Sequence, residues 1–391
     1  MAHFGHHLVS ALLTPLSPFI RDNFALDYAQ IGWLASAFAL SYGVSQLPAG
    51  WLADRIGPRA VLTIGISGVA VAGVLVGLSP TYVMLIVFLI LLGITGGGYH
   101  PASAPLVSAL VEPSKRGRAL GIHQIGGSVS HFLAPIVAVA IATAPAFINF
   151  SWRASFIVLS IPIFILGIVF YILLGRRGYT RKAKQGISEG HTETARTPGH
   201  WRRMVAFLVL GIVGQVLIFA VISFIPLFLV DSFGVSEGMA AGLLTLAYFG
   251  GLLAGPLGGY LSDRFGEVPV TLLVTFIVGP VIYLLGTMSY NWGIFVVLLL
   301  IGTLCFIRMP VSESYIIGRA SVRERSTMLG IYYFGSRGGS GVITPALGYL
   351  IDQVGFQTSF TIVGAAIVAL TLVCSIFLWG DRRSISTELH Q

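Results

Sequence analysis

Residues 50–57, Gly-Trp-Leu-Ala-Asp-Arg-Ile-Gly, return at 259–266 as Gly-Tyr-Leu-Ser-Asp-Arg-Phe-Gly. The offset of 209 carries Gly50 to Gly259, Asp54 to Asp263 and Arg55 to Arg264. It also carries Asp22 to Asp231, Pro101 to Pro310, Ser103 to Ser312, Arg116 to Arg325, Gly121 to Gly330 and Gly126 to Gly335. Near Trp152-Arg-Ala-Ser-Phe156 and Phe356-Gln-Thr-Ser-Phe360 it falls to 204, so the loop at 143–151 is five residues longer than its counterpart. One offset held over most of the chain means two homologous halves, and repeats are the first thing a sequence shows about architecture.

Each copy ends a long apolar run. Of 391 residues, 55% are hydrophobic and only 10% charged, with a mean hydropathy of +0.87; soluble domains carry about 25% charged residues. A helical span needs about 20 apolar residues. Twelve runs qualify, at roughly 4–24, 29–53, 59–79, 81–111, 118–144, 152–175, 203–230, 236–261, 268–288, 291–318, 325–351 and 356–379. They are too long and too continuously apolar for barrel strands. The expected class is an all-α membrane protein with two pseudo-symmetric six-helix bundles. Equal in–out topology makes them parallel repeats, related by an axis along the membrane normal. The expected boundaries are 1–175 and 203–380 for the bundles, 176–202 for a polar linker and 381–391 for a tail.

The net charge of +8 is topogenic. If the N-terminus is inside, 19 of the 23 Lys and Arg fall in inner turns and the linker; the others are Arg21, Arg153, Arg308 and Arg337. Such a bias puts both termini in the cytoplasm. It also leaves no reason to expect a nucleic-acid partner. Cys305 and Cys374 lie in apolar runs and suggest no disulfide framework. No basic leader precedes the first apolar run, which reads as the first span rather than a cleaved signal.

Twelve spans, a basic middle loop and the doubled Gly-x-x-x-Asp-Arg-x-Gly resemble the major facilitator superfamily over the whole chain. A narrower resemblance, to the fosmidomycin-resistance-like branch, rests on His3-Phe4, the segment 28–57 and His100-Pro101; His7 stands where that branch carries Asp. The resemblance implies a secondary transporter whose first signature loop latches the halves outward-facing. Gly50, Asp54, Arg55, Gly57, Arg59, Asp263 and Arg264 are then gate residues rather than solute ligands. Span 5 keeps the spacing of the superfamily's antiporter motif, with Ser130 and Ala134 among the glycine replacements.

Charge inside a span marks a candidate site. Arg308, in Cys305-Phe-Ile-Arg-Met-Pro-Val-Ser-Glu-Ser314, and Arg337, in Phe334-Gly-Ser-Arg-Gly-Gly-Ser-Gly341, both lie in the second half. The offset pairs them with Tyr99 and Ser128, so the scaffold itself requires neither arginine. Two readings stand for Arg308. It pairs with Glu313 across a bend at Pro310, or it faces a wet cavity with Arg337 and forks an anionic solute, as guanidinium does with carboxylate or phosphate. Further solute-contact candidates are Tyr99, His100, His123, Gln124, Tyr332 and Tyr333. Glu313, His131, His7 and His3 are candidates for proton coupling, His because it titrates near neutrality.

No phosphate loop, nucleophile set or catalytic acid pair is present, which speaks against an enzyme and against ATP as the energy source. A resident cofactor is not expected. Neither is a metal, because no Cys or carboxylate completes a set. The expectation is a monomeric transporter, symporter or antiporter, of a small organic anion in the inner membrane. The runner-up is a proton-coupled drug exporter. The reading from another class is a non-transporting sensor on the same fold.

Overall fold

The structure, a computed structural model, describes residues 1–109, 111–112, 116–176, 199–319 and 325–378, all helices and short turns. Most of the expected linker and the whole tail lie outside the described residues. The first span is broken into α1 (Ala2–Ser10) and α2 (Leu13–Phe24). Pro15 has no N–H to return to the carbonyl of Ala11, so the helix restarts there. Then come α3 (Tyr28–Ile56) and a third span made of α4 (Pro58–Thr63), a π turn (Ile64–Gly68) and α5 (Val69–Gly77). The fourth span divides at Gly98 into α6 (Tyr82–Gly97) and α7 (Tyr99–Ala109). α8 (Arg116–Ala142) and α9 (Trp152–Arg176) complete the first half.

The second half holds α10 (His200–Phe233), α11 (Glu237–Phe265), α12 (Glu267–Thr287), α13 (Trp292–Arg319) and α14 (Arg325–Leu378). α14 contains two spans folded back at Gly355, whose φ of 75° suits only glycine. Nine described helical stretches are long and apolar enough to cross a membrane, one of them being the double stretch Met328–Leu378. With α3 and the broken first span, these account for the twelve expected crossings.

The 209 repeat reappears as geometry. Asp27 and Ser236 both cap helices of 29 residues by accepting the N–H three residues on, from Gln30 and Met239; such caps satisfy donors that the helix cannot. Gly57 and Gly266 end those helices with φ of 89° and 85°. At Gly93 an added Cβ would stand 2.5 Å from the Phe38 carbonyl, and at Gly302 only 1.7 Å from that of Ala247. Each glycine lets the fourth helix of its half lie directly on the second, the small-residue packing that membrane helices use in place of a hydrophobic drive. The shorter offset recurs too: Gly77 faces the Arg153 carbonyl and Gly286 that of Gln357. Gly302→Val forces α11 and α13 apart, a cost of about 3 kcal/mol or more. The expected result is loss of monodisperse protein on detergent extraction, read by size-exclusion profile, with Ile301→Val as the mild control.

The halves meet through α3 against α14 and α8 against α11. Gly43 lies against the backbone of Gly338, Gly32 against Pro345, and Gly348 against Tyr28. Phe132 and Phe249 approach to 5.8 Å between ring centroids. These contacts run from mid-helix to the end carrying Asp22, Asp231, Glu237 and Asp352, here called the acidic end. At the opposite, basic end, with Arg55, Arg59, Arg264 and Arg319, an added Cβ at Gly255, Gly259, Gly318 or Gly330 would meet nothing within 4 Å.

Candidate functional site

A cavity of about 150 Å³ lies between the halves, with walls from α1, α2, α3, α8, α10, α11, α13 and α14. Its lining follows the repeat. Ser10 and Phe219 are related by 209, as are Leu13 and Ile222, Thr14 and Ser223, Ala39 and Tyr248, and His131 and Ser340, and all ten line it. A cavity walled by repeat-related positions sits on the pseudo-twofold axis. The charge breaks the symmetry: Arg337 is a lining residue, whereas its repeat mate is Ser128. The Arg337 guanidinium carbon stands 5.1 Å from the centroid of the Phe219 ring, within cation–π range. It forms no ion pair with a described carboxylate; the described ion pairs are those of Arg21 with Asp22 and Asp231.

Arg308 is not in that cavity. It is 1% exposed, and its Nη2 donates to the carbonyls of Leu210 (2.9 Å) and Gly211 (3.1 Å). Glu313 is not its partner either: that carboxylate accepts from the Tyr333 hydroxyl at 2.7 Å. In this structure only Nη2 is bonded, to backbone carbonyls, while Nε and Nη1 are buried without a described hydrogen-bond partner. The reason that it lies off the cavity is packing. Tyr99, its repeat mate, is likewise 1% exposed and stacks on His3 and His6 of α1. Both positions sit where the fourth span meets the first within one half, so they face away from the axis. Gly214 makes room for the guanidinium, since a Cβ there would be 2.7 Å from Nη2.

Of the other expected solute contacts, Tyr332 is buried beside Gly211, Gln124 is exposed, and Tyr333 is tied to Glu313. None of these lines the cavity; nor do Tyr99, His100, His123 or His3. His7 and His131 do, with ring centroids 4.6 Å apart. The structure gathers the polar groups of the first half into one stack instead. His3 lies 4.3 Å from His123 and 5.3 Å from His100, centroid to centroid. His6 bonds the Gly65 carbonyl and the Tyr42 hydroxyl. The lining residues Tyr248, Phe306 and Thr344 carry no sequence mark apart from their membrane depth.

At the basic end, Gly50 and the side chain of Asp54 lie outside the described residues. Arg55 rests 4.1 Å above the Trp51 ring, and Arg59 lies over Tyr171 and donates to its carbonyl. Arg264 donates to the Tyr260 hydroxyl, and Asp263 is exposed. Each of these arginine contacts stays within its own half. At the acidic end, described residues form polar links between the halves that were not expected. Arg21 pairs with Asp231, whose carboxylate also accepts from the Tyr28 hydroxyl at 2.6 Å. Asp352 accepts the backbone N–H groups of Tyr28 (3.0 Å) and Ala29 (2.9 Å). It thus caps α3 from the other half, where orphan donors and the helix dipole favour an anion. Asp352→Ala removes that cap; the expected effect is a roughly fivefold faster labelling, from the acidic side, of a cysteine placed at Ser340. Cys305 and Cys374 are buried and leave the background low.

The sequence profile of the Major Facilitator Superfamily matches residues 1–244 and 207–390, both halves in turn. The chain belongs to that superfamily. It is therefore a multi-pass membrane protein on the transporter fold. A relative described as a probable sulfoacetate transporter, SauU of Cupriavidus necator, is 24% identical, with 97% of this chain and 91% of that one covered. The hexuronate transporter of Bacillus subtilis is 23% identical over 95% of this chain and 91% of its own length. Among solved structures, the bacterial homologue of the human lysosomal transporter Spinster, inward-facing and unoccupied, superposes with a TM-score of 0.73 at 19% identity, covering 96% of this chain and 94% of that one. This last likeness speaks for the fold alone.

Proposed function

We propose that this superfamily member is a secondary transporter of a small organic anion, of the carboxylate, sulfonate or phosphonate type, with Arg337 as the anion ligand. One observation carries the reading: an arginine with no acidic partner among the described residues lines the cavity between the halves. A cation in a low-dielectric site needs a counter-charge, and a transported anion supplies one in each cycle. Ser10, Thr14, Ser223, Ser340 and Thr344 also line the cavity, and the hydroxyls of Ser10, Ser223, Ser340 and Thr344 donate to carbonyls of their own helices, from which a solute would have to draw them. The small cavity suits a few-carbon solute better than a drug-sized one, whose pockets run to about 300–1,000 Å³. The described relatives named for sulfoacetate and hexuronate are transporters of anionic solutes, which supports the same class.

The halves would rock about this midplane cavity, closed here at the acidic end. By the charge rule the basic end faces the cytoplasm of a cell whose inner membrane holds the protein, so this state opens inward. His7 and His131, in the cavity wall, are the residues best placed to couple a proton; Glu313 and His3 lie off it. His3-Phe4 and His100-Pro101 keep the fosmidomycin-resistance-like branch as the nearest reading within the superfamily. The test is a thermal-shift screen of purified protein against carboxylates, sulfonates, phosphonates and cationic drugs. Saturable stabilisation by an anion, lost in Arg337→Gln, supports the assignment; stabilisation by cationic drugs alone overturns it.

A further inference from the structure

Six of the nine histidines gather in one half: His3, His6 and His7 on α1, His100 on α7, and His123 and His131 on α8. Apolar packing alone has no use for so many imidazoles. Two are occupied by hydrogen bonds and the third is stacked, its buried Nε2 without a described hydrogen-bond partner. His6 is held at both nitrogens, by Gly65 and Tyr42, His131 bonds the Gly127 carbonyl, and His123 is stacked against His3. The other three face one another. Ring centroids of His3, His7 and His100 form a nearly equilateral triangle, with sides of 4.8, 5.3 and 5.2 Å. Three imidazoles on one tetrahedral metal at 2.0–2.1 Å would have centroids roughly 5 Å apart.

The hydrogen bonding fits the same arrangement. His3 Nδ1 bonds the His123 carbonyl at 2.8 Å; a backbone carbonyl can only accept, so Nδ1 carries the proton and Nε2 a lone pair. That Nε2 is buried and has no hydrogen-bond partner. A histidine that donates one nitrogen to a carbonyl and presents the other bare is the usual posture of a metal ligand. The rings of His7 and His100 make no hydrogen bond to described residues. Candidate ligand atoms of the three lie within 4.8 Å of one another, against roughly 3.3 Å in a closed tetrahedral set. Closing that gap takes side-chain rotation, which falls chiefly to His7 and His100 because His3 is held by its bond to His123.

We propose that His3, His7 and His100 bind one divalent transition-metal ion of the zinc, cobalt or nickel class, which leaves His131 rather than His7 as the proton-coupling residue of the cavity wall. Imidazole suits these ions, and three neutral histidines are a known sufficient set with a fourth position left open. Of the three, His7 also lines the cavity between the halves. The absence of Cys or carboxylate, which weighed against a metal in the sequence, is met by the convergence of His100 with His3 and His7, which lie one turn apart on α1.

The test is cobalt and zinc titration of chelator-treated, full-length protein without a histidine tag. Wild-type protein is expected to take up one equivalent of Co²⁺ with the intense visible absorption of a tetrahedral site, displaced by Zn²⁺. His7→Asn and His100→Asn should each weaken binding at least 100-fold, and His6→Asn less than threefold. A Co²⁺ spectrum identical to the aqua ion overturns the site, and needs no variant to fold. Stoichiometric binding that survives His7→Asn and His100→Asn together overturns it as well, placing the metal elsewhere.

Discussion

Arg337→Gln abolishes saturable anion transport while leaving the protein folded. Removing one partner of a desolvated charge pair costs about 3 kcal/mol, on the order of 100-fold in affinity. The expected readout is a fall of that size in kcat/KM, measured in liposomes with protein of unchanged size-exclusion profile. Arg337→Lys separates charge from shape. A lysine keeps the cation but loses the planar fork, so it should restore part of the affinity and lose selectivity among anions of different geometry. The substitution is safe for folding on two grounds: Arg337 is only partly buried, and its repeat mate Ser128 shows that the scaffold stands without it. Arg308→Gln should behave in the opposite way. It strips Leu210 and Gly211 of a buried donor, so stability falls first and transport only in proportion to the folded fraction.

Gly43→Val shifts the protein towards the state open at the acidic end. A Cβ at Gly43 would stand 2.7 Å from both Cα and N of Gly338. Backbone cannot give way as a side chain can, so α3 and α14 must separate. The expected result is at least a tenfold rise in labelling of a Ser340→Cys reporter from the acidic side, with a matching loss of exchange. Gly259→Val is the control. Nothing lies within 4 Å of its added Cβ in this state, so labelling from the acidic side should not rise. Opposite behaviour of the two glycines would mean that the closed contacts at the acidic end do not define the resting state.

The doubled Gly-x-x-x-Asp-Arg-x-Gly was enough to find the halves, because helix starts, helix ends and glycine crossings all obey its offset. Gly57 and Gly266 share a positive φ, and Gly93 and Gly302 share a crossing. The offset also matches the packing of Arg308: like Tyr99, it lies at a helix contact inside one half. Which face of a span meets water is harder to read. In soluble helices the polar stripe marks the surface, but here lipid and packing are both apolar. Arg337 was legible because charge is rare at that depth. Tyr248, Phe306 and Thr344 were not, since their residue types occur throughout the spans. Nor could spacing alone reveal the histidine triangle. His3 and His7 are one turn apart on α1, but His100 joins them only when α7 packs beside it. The acidic-end links of Arg21 with Asp231, and of Asp352 with the start of α3, pair residues more than 200 positions apart.

Solute exchange by purified protein in liposomes tests the anion assignment most directly. Labelled carboxylates, sulfonates, phosphonates and cationic drugs are offered in turn, with and without a pH gradient. An anion ligand at Arg337 predicts saturable uptake of at least one small anion, competed by other anions, unaffected by cationic drugs and lost in Arg337→Gln. Uptake confined to cationic drugs, or anion uptake with unchanged KM in Arg337→Gln, would contradict it.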